Sequence, residues 1–164
     1  MNTIQGSPEY ILQQGRKALW QSLTPNAAVI FDVDDTLITL KKNENGDEEI
    51  HPIEHIKELW NNAKSMGYHL YIVTARVDPH SAVHDLTSVG ITGWVSIFTR
   101  QSIDTCPWGS KAEARDHIYS RHPVVLNVGD ALWDVARTDP SQPSVALLDT
   151  QPTLNCLIGN ELVL

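Results

Sequence analysis

The sequence predicts an α/β fold, with a central parallel sheet of about five strands and helices packed on both of its faces. Three observations carry that expectation. From residue 28 to residue 148, short apolar runs rich in β-branched and aromatic residues alternate with stretches of helical length and periodicity, and strands that alternate with helices pair in parallel. Two of the runs break directly into polar clusters, Phe31 into Asp32 and Val128 into Gly129-Asp130. Ligand-handling groups at the carboxyl ends of strands are the habit of open α/β sheets. Finally, 164 residues with 41% hydrophobic content are enough for one sizeable core.

Each element has a local reason. Ser7-Pro8-Glu9 is a helix start, and Ile11, Leu12, Leu19 and Trp20 supply apolar positions through Gln21, before Thr24-Pro25-Asn26 breaks the pattern. Residues 28–33 form the first buried strand. Residues 38–50 carry the polar tip Lys41-Lys42-Asn43-Glu44-Asn45-Gly46-Asp47, which predicts a small β-hairpin flap. His51-Pro52 opens a helix to about Met66, with Ile53, Ile56, Leu59, Trp60 and Ala63 on one face and Gly67 as its stop. A second strand over 68–73 runs into Thr74-Ala75-Arg76. A helix over 79–88 then leads to a third strand over 94–98. After a long loop, Thr99 to Trp108, come a helix over 110–120, a fourth strand over 123–128, a short helix near 132–137 and a fifth strand over 144–148. The organisation expected is one domain: an N-terminal helix in 1–24, a core in 25–150 and a tail in 151–164.

Asp32-Val33-Asp34-Asp35-Thr36-Leu37 is the most informative stretch. Carboxylates that close repel and raise one another's pKa unless a cation or a phosphoryl group sits among them. The pattern reads as a metal-supported carboxylate site with one Asp available as nucleophile. Asp-Asp-Thr would equally serve as an acidic turn or helix cap. Three further groups fall at strand ends or helix starts. Thr74 and Arg76 follow the second strand, where a hydroxyl and a bidentate guanidinium would hold a phosphoryl oxygen; an N-cap is the plainer role for Thr74. Lys111 begins a helix, an unfavourable place for a cation, unless it reaches across to the Asp cluster; otherwise it is a solvated surface lysine. Asp130 follows the fourth strand and would join the first strand's carboxylates if the strands are neighbours, making an oxygen-rich site of the kind Mg²⁺ prefers. Asp134 is either a supporting carboxylate or a first-turn helix acid.

Taken in order, Asp32-Val33-Asp34-Asp35-Thr36, Thr74, Lys111 and Gly129-Asp130 with Asp134 resemble the four motifs of the haloacid dehalogenase-like (HAD) phosphohydrolase superfamily. The resemblance spans about residues 28–148 and implies a Rossmann-like three-layer sandwich. It implies that Asp32 is a nucleophile forming an aspartyl-phosphate, that Asp34 is the acid/base, and that Thr74 and Lys111 hold the phosphoryl group. It further implies that Asp32, the Asp34 carbonyl and Asp130 bind Mg²⁺ with support from Asp134. An Asp two residues after the nucleophile favours phosphatase over dehalogenase. Within the superfamily the motifs look most like the acid-phosphatase-type branch, with a polynucleotide 3′-phosphatase-like end-processing enzyme as the alternative. A non-catalytic scaffold and a receiver-like phosphate-binding module are the readings from other classes.

The gaps between the motifs leave no room for a large cap, so an open site is expected. The loop Thr99–Trp108 is then the candidate for substrate choice, with Arg100 meeting a second anionic group and Trp108 stacking on a base; a packed surface loop is the alternative. The partner expected is a phosphorylated substrate: a small molecule, a nucleic acid end or a phosphoprotein. A net charge of −8 weighs against broad binding to nucleic acid or to anionic membranes. No apolar run reaches membrane-spanning length. The polar N-terminus and two isolated cysteines, Cys106 and Cys156, point to a cytoplasmic protein with free thiols. The pairs His51/His55 and His80/His84 lack any accompanying ligand pattern and are not taken as metal sites.

Overall fold

The computed structural model describes residues 3–22, 24–136 and 153–159. The elements follow as β1 (Thr3–Gly6), α1 (Pro8–Gln21), β2 (Ala28–Phe31), β3 (Ile38–Lys42), β4 (Glu48–Pro52), α2 (Glu54–Ser65) and β5 (His69–Val73). They continue as α3 (Pro79–Ser88), β6 (Ser96–Phe98), α4 (Pro107–Tyr119), β7 (Val124–Gly129), a 3₁₀ turn at Leu132–Asp134 and β8 (Leu154–Ile158). Six strands form one sheet in the order β1-β8-β7-β2-β5-β6, every pairing parallel. The hairpin β3–β4 stands apart as a two-stranded antiparallel pair.

Alternation along the central strands divides the core. Val29, Phe31, Leu70, Ile72, Leu126 and Val128 face Ile11, Leu19, Leu59, Trp60 and Leu86, so α1, α2 and α3 cover one face. Ala28, Ile30, Tyr71 and Val73 face Ala114 and Ile118 of α4 on the other. Strands buried on both sides are what the near-continuous apolar runs require. Trp60 is fully buried, meets Phe31 edge-on at 5.2 Å and donates its indole N–H to Thr92 O at 3.0 Å. Gly15 sets the approach of α1 to α2, since a Cβ there would fall closer than 3.0 Å to the Leu59 side chain.

Several expectations shift. The sheet has six described strands. β1 and β8 enter at one edge, where Ile4 pairs with Cys156, and the tail beyond residue 150 thus supplies a strand between β7 and β1. His51 and Pro52 finish the hairpin instead of opening α2, which begins at Glu54 after Ile53. Pro107 starts α4 three residues before the expected Ser110, because proline's fixed φ suits the first helical position. Trp20, read as one of the apolar positions of α1, is 73% exposed. The strand expected over 144–148 lies outside the described residues.

Candidate active site

From β2 the chain moves outward to β5 and β6, then returns to β7 on the other side of β2. That reversal leaves a crevice between β2 and β7 at their carboxyl ends, the place where ligands bind in open α/β sheets. The Asp32 N–H donates to Val128 O at 2.9 Å, so the two exits stay in register. After Asp32 the backbone curls tightly: the N–H groups of Thr36, Leu37 and Ile38 all point at Val33 O. Asp35 takes the left-handed conformation, φ 55°, which Asp tolerates better than most residues. Its Oδ1 accepts from Thr39 Oγ1 at 2.9 Å.

Four charged groups meet in this crevice. Lys111 lies on the fifth residue of α4, not at the helix start, and its ammonium crosses to the sheet with 1% of the residue exposed. It donates to Asp32 Oδ1 at 2.9 Å and to Asp134 Oδ1. The Asp134 Oδ2 accepts from Ala131 N–H at 3.1 Å. The Thr36 hydroxyl is shared between Asp32 Oδ2 at 3.3 Å and Asp130 Oδ1 at 3.5 Å. Asp32, Asp130 and Asp134 each offer a carboxylate oxygen, all within 4.8 Å of one another. Asp32 and Asp134 are buried while Asp130 opens to solvent.

Burial pushes the Asp32 carboxyl up to about 6, against the pull of Lys111. Burial and then the charge of Asp32 push Asp134 up to about 6, again against Lys111. Asp130 is raised too, chiefly by burial. For Lys111, burial works against the charge, but Asp134 and Asp32 overcome it and the net movement is upward. Three carboxylates against one ammonium leave two negative charges uncompensated in a confined space. The donors are all hard carboxylate oxygens, a set that suits Mg²⁺ better than zinc or copper.

Asp34 stands apart from this cluster, its side chain half exposed. The Arg76 guanidinium grips it bidentately, Nε to Oδ2 at 2.9 Å and Nη2 to Oδ1 at 2.7 Å. Arg76 Nη1 also donates to Asp85 Oδ2 at 2.6 Å and approaches Ser81 Oγ at 3.4 Å. Thr74 is buried, and its hydroxyl oxygen accepts from Arg76 N–H at 3.1 Å. It closes a turn at the end of β5 and is no helix cap; Asp78 caps α3 instead. Arg100 is committed to its own loop, donating to the carbonyls of Ala75, Ile103 and Thr105 at 2.9–3.3 Å. Trp108 lies in the first turn of α4 and packs edge-on against Trp133 at 6.0 Å.

Asp85 and Arg115 had no role in the sequence pattern, and Thr36 entered it only as part of the Asp32–Leu37 stretch. Arg115 is buried one helical turn after Lys111 and donates to Trp133 O at 2.8 Å and Ala136 O at 3.1 Å, tying down the turn that carries Asp134. Helical spacing from Lys111 would have exposed it. Asp85 looks like any exposed helix acid and carries no such signal.

The family model of the HAD superfamily, subfamily IIIB (acid phosphatase) matches residues 40–151. The chain belongs to this family. The HAD match takes in Thr74, Lys111, Asp130 and Asp134 and begins after the Asp32–Leu37 loop, whose placement beside those residues comes from the fold. A solved structure, a hypothetical protein from Xanthomonas campestris, is similar at 23% identity over 71% of this chain, with a TM-score of 0.39. The chain spans 65% of that protein's length. No curated protein matches. Among the described residues, no helix is long and apolar enough to cross a membrane.

Proposed function

We propose that this HAD protein is a Mg²⁺-dependent phosphomonoester hydrolase that works through an aspartyl-phosphate on Asp32. One observation carries the reading: Asp32 is buried at the strand end, bonded to Lys111 at 2.9 Å and grouped with Asp130 and Asp134. A buried carboxylate so arranged is a poor surface charge and a well-aimed nucleophile.

Asp32, Asp130 and Asp134 would hold the metal, which supplies positive charge for the transferring phosphoryl group. In the first step an Asp32 oxygen attacks phosphorus, the bond to the leaving oxygen breaks, and Asp34 gives that oxygen its proton. In the second, Asp34 takes a proton from water as the water attacks the aspartyl-phosphate, which releases phosphate and restores Asp32. Lys111 keeps the nucleophile ionised and oriented, and with Thr74 it stabilises charge on the phosphoryl oxygens. Because hydrolysis is divided between two carboxylates, each does one proton or phosphoryl task at a time.

The test is hydrolysis of p-nitrophenyl phosphate, mononucleotides and oligonucleotides with 3′- or 5′-phosphate, with Mg²⁺ or EDTA, beside Asp32→Asn. Metal-dependent release of phosphate that vanishes in the mutant is expected. Full activity in Asp32→Asn would remove Asp32 as nucleophile, and indifference to EDTA would remove the metal.

A further inference from the structure

Arg76 was expected to clamp a phosphoryl group, yet its donors are turned onto two carboxylates of the protein. The arrangement is a relay. Asp85 and Ser81 project from α3, Arg76 from the loop after β5, and Asp34 from the loop after β2. The Arg76 side chain is only 16% exposed and Asp85 18%, against 50% for Asp34. The shielded half of the relay is thus Arg76–Asp85, and Asp34 is the member that reaches solvent. A half-exposed Asp on a curled loop has freedom about both side-chain torsions. Two parallel N–H···O bonds to a planar guanidinium remove it, but only if the guanidinium is itself fixed. Asp85 fixes it.

We propose that Asp85 is a positioning residue that acts through Arg76 to aim the Asp34 carboxylate at the atoms it serves. The inference rests on Asp34 being the acid/base of the hydrolysis proposed above. A proton can pass only along a bond of hydrogen-bond length, so the orientation of Asp34 relative to Asp32 limits both proton steps. A misplacement near 1 Å costs on the order of 100-fold. Leaving groups differ in how much they need that proton. An alkoxide leaving an alkyl phosphate must be protonated as it departs, whereas p-nitrophenolate is stable without help. A loosened Asp34 therefore slows aspartyl-phosphate formation from the alkyl ester far more than from the p-nitrophenyl ester, while breakdown of the intermediate, common to both, slows equally. The ratio kcat/KM, which reads only the steps up to formation, separates the two.

The experiment compares Asp85→Asn, which keeps size and removes charge, with the metal-loaded wild type on an alkyl phosphate and on p-nitrophenyl phosphate. The expected result is a fall in kcat/KM on the order of 100-fold on the alkyl ester, little change in kcat/KM on p-nitrophenyl phosphate, and partial recovery in Asp85→Glu. Equal losses of kcat/KM on both esters would reduce Asp85 to a structural role. A raised KM with kcat intact would assign the relay to phosphate binding. A crystal structure of Asp85→Asn gives a readout free of turnover: the Asp34 carboxylate should leave its wild-type position while Lys111–Asp32 stays in place. An unmoved Asp34 overturns the inference. Failure of the wild type on both esters would refute the phosphatase reading, with the crystal result still deciding the relay.

Discussion

Gly129→Ala should damage the site out of proportion to one methyl group. Gly129 ends β7 just before Asp130, and the space a Cβ would need is filled by Asp134, whose Cβ, Cγ and Oδ2 all lie inside 3.0 Å of it. Neither neighbour yields easily. Asp134 is pinned by Lys111 and by the Ala131 N–H, and β7 is flanked on both sides by paired strands. Overpacking of this kind costs about 1–3 kcal/mol. In a chain of this size that is a fall of roughly 2–12 °C in Tm. Pushing Asp134 aside also removes one of the two partners of the Lys111 ammonium and moves the nucleophile's neighbour, so activity should drop on the order of 100-fold. Thermal unfolding and p-nitrophenyl phosphate hydrolysis read the two effects. A Gly129→Ala protein with wild-type Tm and rate would refute the claim that Asp134 packs against this glycine for function.

Lys111→Met should cost about 3–5 kcal/mol, because it strands two buried carboxylates without their cation; denaturant unfolding measures this, and a loss below 1 kcal/mol would contradict the burial of the pair. In metal-free protein, Asp32 and Asp134 have folded values near 6, above the ordinary 3.8. Between those values the folded state binds more protons than the unfolded one, so stability is greatest near the lower end and declines as pH rises through 6. The metal-free Tm should therefore rise on going from pH 7 to pH 5, and Mg²⁺, by holding the carboxylates ionised, should flatten that slope; a metal-free Tm independent of pH would contradict it. Gly15→Ala should lower Tm by a few degrees through its clash with Leu59 and leave kcat alone, separating helix packing from chemistry.

What the sequence made legible follows from what local chemistry can encode. The Asp32–Thr36 loop, Lys111 and Gly129-Asp130 could be read because each joins an improbable local composition to a strand or helix boundary. β1 was invisible, since Thr-Ile-Gln-Gly at a sheet edge has neither alternation nor an apolar run. β8 was missed because Leu-Asn-Cys-Leu-Ile draws its strand character from pairing with β7 and β1. The identity of Arg76's partners was equally beyond reach. An arginine two residues from a strand-end threonine reads as an anion clamp until the fold brings Asp34, 42 residues earlier, and Asp85, nine later, to its donors. Asp134 was ambiguous for the same reason. Only the fold shows that it is both, buried against Lys111 and accepting from the Ala131 N–H in the first turn of its 3₁₀ helix.

The most direct test of the account is to mix the Mg²⁺-loaded protein with excess phosphomonoester, quench with acid within the first turnovers, and map the digested peptides by mass spectrometry. One phosphoryl group on Asp32, absent in Asp32→Asn, is the result the account requires. A protein that hydrolyses substrate yet never carries phosphate at Asp32, or carries it on another residue, would contradict it.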